Sequence, residues 1–493
     1  MTLWTSDQAA KATGGERRGD WQATGVSIDT RNLRRGDLFI ALKDIRDGHD
    51  FVAQAFEEGA AAAMVSRVPE GVSASADLLI VPDVLRGLED LGRAGRARAG
   101  AKVVGITGSV GKTSTKEMLR DVLGGQGQVH AAEASYNNHW GVPLTLARLP
   151  MEADFAVIEI GMSNPGEIAP LAKMAELHVA IITTIAPAHL EALGSLEAIA
   201  VEKASIFKGL ATDGTAIVDG DVTTTGILQQ AARAKGVRLV TFGSSEGCDL
   251  QLKDVRLHDQ ITVGQARLPQ HRQVLFKVGS GGRHFAHNAL AVIAATEALG
   301  LDLDVAIADL GRWQPPSGRG TREVLLLDSV DEALSIELID DAFNANPTSM
   351  QAALEVLAAA QTREDVGRIA AGRRIAILGD MLELGPDEIE MHRALADLPE
   401  MAELACVHCV GTRMRALWHD LPGPIKGHWF ENAEDMAAEA YRLIDAGDVV
   451  LVKGSKGSRV SLVVEALRRA AHEASANGSL QAVSGHIRAE GDG

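Results

Sequence analysis

At 493 residues, the chain is long enough for about three domains of roughly 100–200 residues each. Apolar residues make up 46% and charged residues 23%, an ordinary globular balance that excludes wholesale disorder. Lys plus Arg number 48 against 66 Asp plus Glu, and the formal charge of −18 sets up a field that repels nucleic-acid backbones and anionic membranes.

The three cysteines, Cys248, Cys406 and Cys409, are too few and uneven for a disulfide framework and fit a reducing, cytoplasmic compartment. The N-terminus, MTLWTSDQAAKATGG, lacks a basic segment followed by an apolar run, so no signal peptide is expected. No stretch reaches the ~18 consecutive apolar residues of a spanning helix.

In chain order, the first hundred residues hold short strand candidates at 37–42 and 77–81 and a helix candidate at 51–59. The segment 88–100, LEDLGRAGRARAG, reads as a linker helix with its basic run 93–98 on a solvated face. From Lys102 the pattern changes. Continuous Val/Ile runs at 102–107, 155–161, 178–185, 215–220 and 238–243 alternate with helical segments, the mark of buried parallel strands with crossover helices. A helix is expected over 286–300, and PPSGRGT (315–321) is a turn-rich break. Apolar runs at 334–341, 373–380, 403–411 and 448–455 predict a second parallel sheet. The residues after about 475 are small and polar, without periodicity, and are expected to be disordered.

The chemistry begins at GITGSVGKTST (105–115), which follows a strand candidate and opens a helix. Gly108 and Gly111 let backbone N–H groups turn inward on phosphate oxygens, Lys112 can reach the outer phosphates, and Thr113 offers a hydroxyl to Mg²⁺. The pattern departs from the general phosphate loop at position 106, where Ile replaces the first Gly. Glu159 ends a buried strand, His189 lies beyond the next one, and Lys203 sits on the following helix. Taken singly, these are a solvated carboxylate, a loop histidine and a surface lysine. Their order after a phosphate loop raises them together as a metal and phosphate constellation. Cys406 and Cys409 fall within an apolar strand pattern and read as buried residues, as do the packing residues Met381 and Met391.

Six segments carry a specific resemblance. They are GVSIDTRNLRRGDLFIALKDIRDGHDF (25–51), GITGSVGKTSTKEM (105–118), NNHWGVPLTL (137–146), EIGMSNPGEI (159–168), IDDAFNANPTSM (339–350) and ILGDMLELG (377–385). Through them, residues 24–465 resemble the Mur ligase family. The resemblance implies an α/β protein of three domains. Residues 1–99 would form a mixed α/β domain for a UDP-muramoyl substrate, 100–320 a central parallel sheet of the phosphate-loop ATPase type, and 321–475 a Rossmann-like parallel sheet, with 476–493 as a tail.

The implied activity is ATP-dependent amide ligation through an acyl phosphate. DDAFNANP and LGDMLELG point to the branch that adds D-alanyl-D-alanine to a UDP-N-acetylmuramoyl-tripeptide. Gly108, Ser109, Gly111, Lys112, Thr113 and Ser114 would bind ATP, with Asn288 near the adenine, Arg319 at the hinge and Asp341 on the ribose. Thr113, Glu159, His189 and Lys203 would hold two Mg²⁺, Lys203 as an N-carbamate. Lys112, Glu159, His189 and Lys203 would carry the catalysis. Ser27, Asp29, Thr30, Arg31, His49 and Asp50 would bind the uridine nucleotide, and Asn138 the muramoyl-peptide side. The expected partners are these small molecules alone, and a three-domain closing enzyme of this kind can work as a monomer. Thr30 stands where Ser is common, Phe343 for Tyr and Thr184 for Asn. The alternatives are a sister ligase adding a single amino acid, or glutamate to folate, and a non-catalytic ATP-binding switch, which would need no second metal site.

Overall fold

The computed structural model describes residues 2–73, 75–258, 260–368 and 370–472. The expected tail at 476–493 lies outside them. Among the described residues there are three large sheets and a two-stranded ribbon. No helix among them is long and apolar enough to cross a membrane.

The N-terminal sheet has five strands in the order Glu16–Arg18, Leu78–Ile80, Ala62–Val65, Asp37–Ile40 and Gly25–Ser27. All neighbours pair in parallel except the first two.

The central sheet runs through nine strands, and its parallel heart is Leu210–Asp219, Leu177–Ile182, Lys102–Thr107, Phe155–Glu159 and Val129–Ala131. Continuous apolar runs form these strands because both faces are covered. Val104, Ile106, Val157 and Ile181 enter one core, while Val103, Ala156, Ile158 and Ile182 enter the other. The helix Arg283–Ala298 fills the first core and is buried over most of its length, with Ala286, Ala289, Leu290 and Ile293 wholly enclosed.

Two expectations need correction here. The central sheet is not parallel throughout. Leu250–His258, Ile261–Arg267 and Gln273–Val278 extend it as an antiparallel arm. One face of that arm is solvated, so its apolar signal is diluted by Lys253, Asp254 and Arg256. Of the basic run 93–98, Arg93 does lie on the solvated face, paired with Glu89 and Asp90, but the other two arginines turn inward. Arg96 is buried and donates to the carbonyls of Ala175, Ala99 and Glu176. Arg98 lies 3.8 Å over the Trp4 ring and donates to Leu3 O. The long aliphatic stems allow both side chains to cross apolar surface and still bring guanidinium nitrogens to carbonyls, although Arg98 Nε is left without a partner among the described residues.

The third sheet has the order Thr321–Leu326, Ser335–Asp341, Val449–Lys453, Arg374–Gly379, Cys406–Val410 and Lys426–Phe430. It is parallel apart from its first strand, which pairs antiparallel with Ser335–Asp341. Cys409 joins the core on one face and Cys406 packs against the core on the other, as an odd spacing on a strand requires. Met381 is wholly buried among packing residues, and Met391 is packed against the same core.

Candidate active site

The strand ends of the central sheet and those of the third sheet face one cavity of about 690 Å³. The phosphate loop forms its floor. Gly108 (φ 150°) and Gly111 (φ 85°) adopt backbone angles that other residues resist. A Cβ on Gly108 would stand 1.9 Å from Thr183 Oγ1, and one on Gly111 2.6 Å from Asn288 Oδ1. Ile106 still lies in the extended strand with its side chain in the core, so no glycine is needed there. The helix Lys112–Gly124 opens at once from Gly111, leaving its first N–H groups toward the cavity.

Lys112 folds back to donate to Gly108 O at 2.7 Å. Burial pushes its amine below the ordinary lysine range, Glu159 opposes that shift, and Arg319 adds to it. Glu159 is 2% exposed at the end of its strand. Its two oxygens accept from Thr113 Oγ1 at 3.1 Å and Asn137 Nδ2 at 2.7 Å, and it has no ion-pair partner among the described residues. A buried carboxylate beside a hydroxyl, with Lys112 and Arg319 near enough to act on it through charge, is an oxygen-donor set that fits Mg²⁺.

Lys203 is 1% exposed, in the last turn of the helix Leu196–Ala204, which overturns the surface-lysine reading. No acceptor for its amine is found among the described residues. Burial, with Lys112 nearby, holds the amine well below the usual lysine range. As an ammonium it would not fit a metal site; a carbamate on the same nitrogen would.

His189 sits in a left-handed conformation (φ 59°), and its Nδ1–H donates to Glu383 Oε2 of the third sheet's loops at 2.5 Å. Ser109 ties the phosphate loop to the segment before His189. Its hydroxyl donates to Ala186 O at 2.9 Å and accepts from Ala186 N at 3.0 Å.

Across the cavity, Asp341 accepts from Lys453 Nζ at 2.7 Å, and the same amine donates to Asn344 O. Burial raises the Asp341 carboxyl and the Lys453 charge pulls it back. Arg319 lies 4.2 Å over the Phe343 ring, so the Phe found in place of Tyr supplies a π face instead of a hydroxyl. Ser114, Asn288 and Asn138 also line the cavity, and Asn138 Oδ1 accepts from Gly141 N.

The uridine-side candidates do not line this cavity. Ser27 donates to Asp29 O, and Asp29 grips Arg31 through Nε and Nη2. Thr30 donates to Gln54 Oε1, and Asp50 is exposed. His49 is buried with both ring nitrogens engaged. Nδ1–H donates to Asp47 at 2.6 Å and Nε2 accepts from Ser66 N, so its ring braces the loop.

Several cavity residues escaped the sequence reading. Lys453 could have been found as a lone lysine ending the apolar run DVVLVK, and Asn137 as the neighbour of Asn138. Glu383, at the edge of the cavity and inside the LGDMLELG motif, was given no role of its own, since its contact lies 194 positions away. Asp219, Asp221 and His287 also converge, with ligand atoms within 4.8 Å of one another. There, His287 pairs with Asp219, and Asp221 accepts from the amides of Ser244 and Ser245.

Comparison with known proteins matches most of the chain. Residues 106–296 match the Mur ligase middle domain and 327–456 match the Mur ligase, glutamate ligase domain. The UDP-N-acetylmuramoyl-tripeptide–D-alanyl-D-alanine ligase of Bacillus subtilis is 35% identical over 90% of this chain and 93% of its own. That of Escherichia coli is 33% identical over 95% and 99%. The MurF crystal structure from Acinetobacter baumannii superposes with a TM-score of 0.79 at 29% identity, covering 94% of this chain and 99% of that one. MurF ligase from Thermotoga maritima, solved in complex with ADP, gives 0.73 at 26% identity over 91% and 98%. With its phosphate loop, its strand-end carboxylate and two matched domains, the chain belongs to the Mur ligase family, in the branch of the UDP-N-acetylmuramoyl-tripeptide–D-alanyl-D-alanine ligases.

Proposed function

We propose that the protein joins D-alanyl-D-alanine to UDP-N-acetylmuramoyl-tripeptide with cleavage of ATP to ADP and phosphate, as the last cytoplasmic step in making the peptidoglycan precursor. The observation that carries the reading is the shared cavity. Lys112, Thr113, Glu159 and Lys203, on and around the central sheet, face Asp341 and Lys453 of the third, with Arg319 on the connection between the two.

ATP lies along the phosphate loop, with Gly108, Ser109, Gly111 and Ser114 around its phosphates, Asn288 beside the adenine and Asp341 at the ribose. The terminal carboxylate of the tripeptide attacks the γ-phosphorus, the bond to the bridging oxygen breaks, and ADP leaves. Lys112 neutralises charge on the transferring group. The dipeptide amine then attacks the acyl carbon, the carbon–oxygen bond breaks, and phosphate departs with the amine proton. Closure of the third domain about Arg319 keeps water from the acyl phosphate.

Two Mg²⁺, one at Thr113 and Glu159 and one at His189 and Lys203, would supply Lewis-acid neutralisation of phosphoryl oxygens. Burial and the nearby Lys112 disfavour the ammonium form of Lys203, and the neutral amine is the form that adds to CO₂ with loss of a proton, turning a cation into an anionic oxygen donor. Ser27, Asp29, Thr30, Arg31 and Asp50 supply the uridine site, His49 holds its loop, and Asn138 faces the muramoyl peptide. The enzyme acts as a monomer in the cytoplasm, where its nucleotide substrates are made and its three free cysteines stay reduced.

The test supplies ATP, the UDP-tripeptide and the dipeptide, and weighs the product. The UDP-pentapeptide mass is expected. A product formed only with single amino acids would move the protein to a sister activity, and ADP release without any amide would sink the reading.

A further inference from the structure

His189 reaches a partner from another domain. Its Nδ1–H donates to Glu383 Oε2 at 2.5 Å, and a carboxylate can only accept, so the proton is on Nδ1. That tautomer leaves the Nε2 lone pair free for a cation. The contact is not a single long side chain meeting another. Glu191 N donates to Glu383 O at 3.4 Å, and a Cβ on Gly385 would stand 3.4 Å from Glu191 N, so the two backbones approach closely. Both His189 (φ 59°) and Glu383 (φ 63°) hold left-handed conformations that non-glycine residues rarely adopt.

The loop carrying Glu383 is braced inside the third domain. Met381 N donates to Nε2 of the wholly buried His392, whose Nδ1–H donates to Glu388 O. Leu382 N donates to Ser455 Oγ at 3.0 Å. The loop therefore moves with its sheet. On the other side, Ser109 couples the segment before His189 to the phosphate loop.

We propose that Glu383 is a positioning residue that fixes the His189 ring for cation binding, so that the metal side of the site is complete only when the third domain has arrived. This rests on the reading of His189 as a metal ligand. A carboxylate that accepts from the far nitrogen of a ligating histidine sets its tautomer and orientation, and losing such a partner typically weakens metal affinity about 10–100-fold. Glu383 is itself 57% exposed, so a contribution to stability is expected to be small.

The experiment measures Mn²⁺ binding to the full chain with a non-hydrolysable ATP analogue, from the amplitude of the free-ion electron paramagnetic resonance signal. It compares wild type, Glu383→Ala, Glu383→Gln, His189→Ala and the double variant Glu383→Ala/His189→Ala. We expect Glu383→Ala to weaken the second Mn²⁺ site about tenfold and Glu383→Gln to recover part of that loss, since an amide oxygen still accepts from Nδ1–H. The melting temperature should not change, and adding Glu383→Ala to His189→Ala should cost nothing more. If His189→Ala weakens the site while Glu383→Ala leaves it unchanged, the proposal falls and the ligand reading stands. If His189→Ala itself leaves Mn²⁺ binding unchanged, the ligand reading falls and takes the proposal with it. An equal Glu383→Ala loss with and without His189 would show that the glutamate acts elsewhere, and overturns the proposal.

Discussion

The phosphate loop and the segment from Ser27 to Arg31 are both polar turns that follow parallel strands, yet they have disposed of their polar groups differently. After Lys102–Thr107, the loop holds Lys112, Thr113 and the first helical amides at the wall of a cavity, with Glu159 buried beside them and bonded to Thr113 and Asn137. After Gly25–Ser27, Ser27 and Asp29 bond to their own neighbours and Arg31 is gripped by Asp29 in the open. Under the proposed function, the first site would meet the charge of a ligand with its helical amides already held in place, and Lys112 would exchange its bond to Gly108 O for a phosphate oxygen. As the proposed uridine site, the second would exchange an exposed ion pair and its internal bonds for ligand bonds, so each contact there would return less.

Substitutions can break or sharpen that contrast. Lys112→Ala should lower substrate-dependent ADP release by about a thousandfold or more while circular dichroism and melting stay unchanged. Normal turnover would remove Lys112 from the chemistry. Lys203→Ala should cost on the order of 10²–10³ in rate, with part returned by short-chain carboxylic acids that replace the carbamate oxygens. The same acids should leave the wild type unaffected, and full activity in the unrescued variant would rule out carbamylation as the source of the effect. Arg31→Ala should raise KM for the UDP-tripeptide about tenfold with kcat within about twofold, the pattern of lost uniform binding. Were Arg31→Ala to depress kcat as deeply as Lys112→Ala, the two turns would not differ as described.

The parallel strands were legible because burial on both faces writes an uninterrupted apolar run, and the phosphate loop because its glycines sit where positive φ is needed. Ile106 looked like a departure in the letters and is an ordinary strand residue in space. The antiparallel arm was not legible, since Leu250–His258 is buried at its first three residues and then turns half-exposed. Arg96 departs from the sequence reading because a basic letter carries no record of the carbonyls of Ala175 and Glu176, brought to it by the end of a helix about eighty positions away. Lys203 stood out from its helix only through resemblance, since a periodic pattern does not distinguish a buried amine from a solvated one. The pairing of His189 with Glu383 joins two sheets and is written in neither segment.

The anchoring of Arg96 bears on how the molecule can be taken apart. Its guanidinium is bonded to the last residue and the C-cap of the helix Ile168–Ala175, while the glycines earlier on its own helix press against the backbone of Pro143 and Leu146. A cut at residue 99 would leave the central fragment with bare carbonyls at Ala175 and Glu176 and an uncovered apolar flank at Leu144 and Ala147. An excised nucleotide-binding fragment should therefore begin before Val84 and carry that helix with it, or it will aggregate.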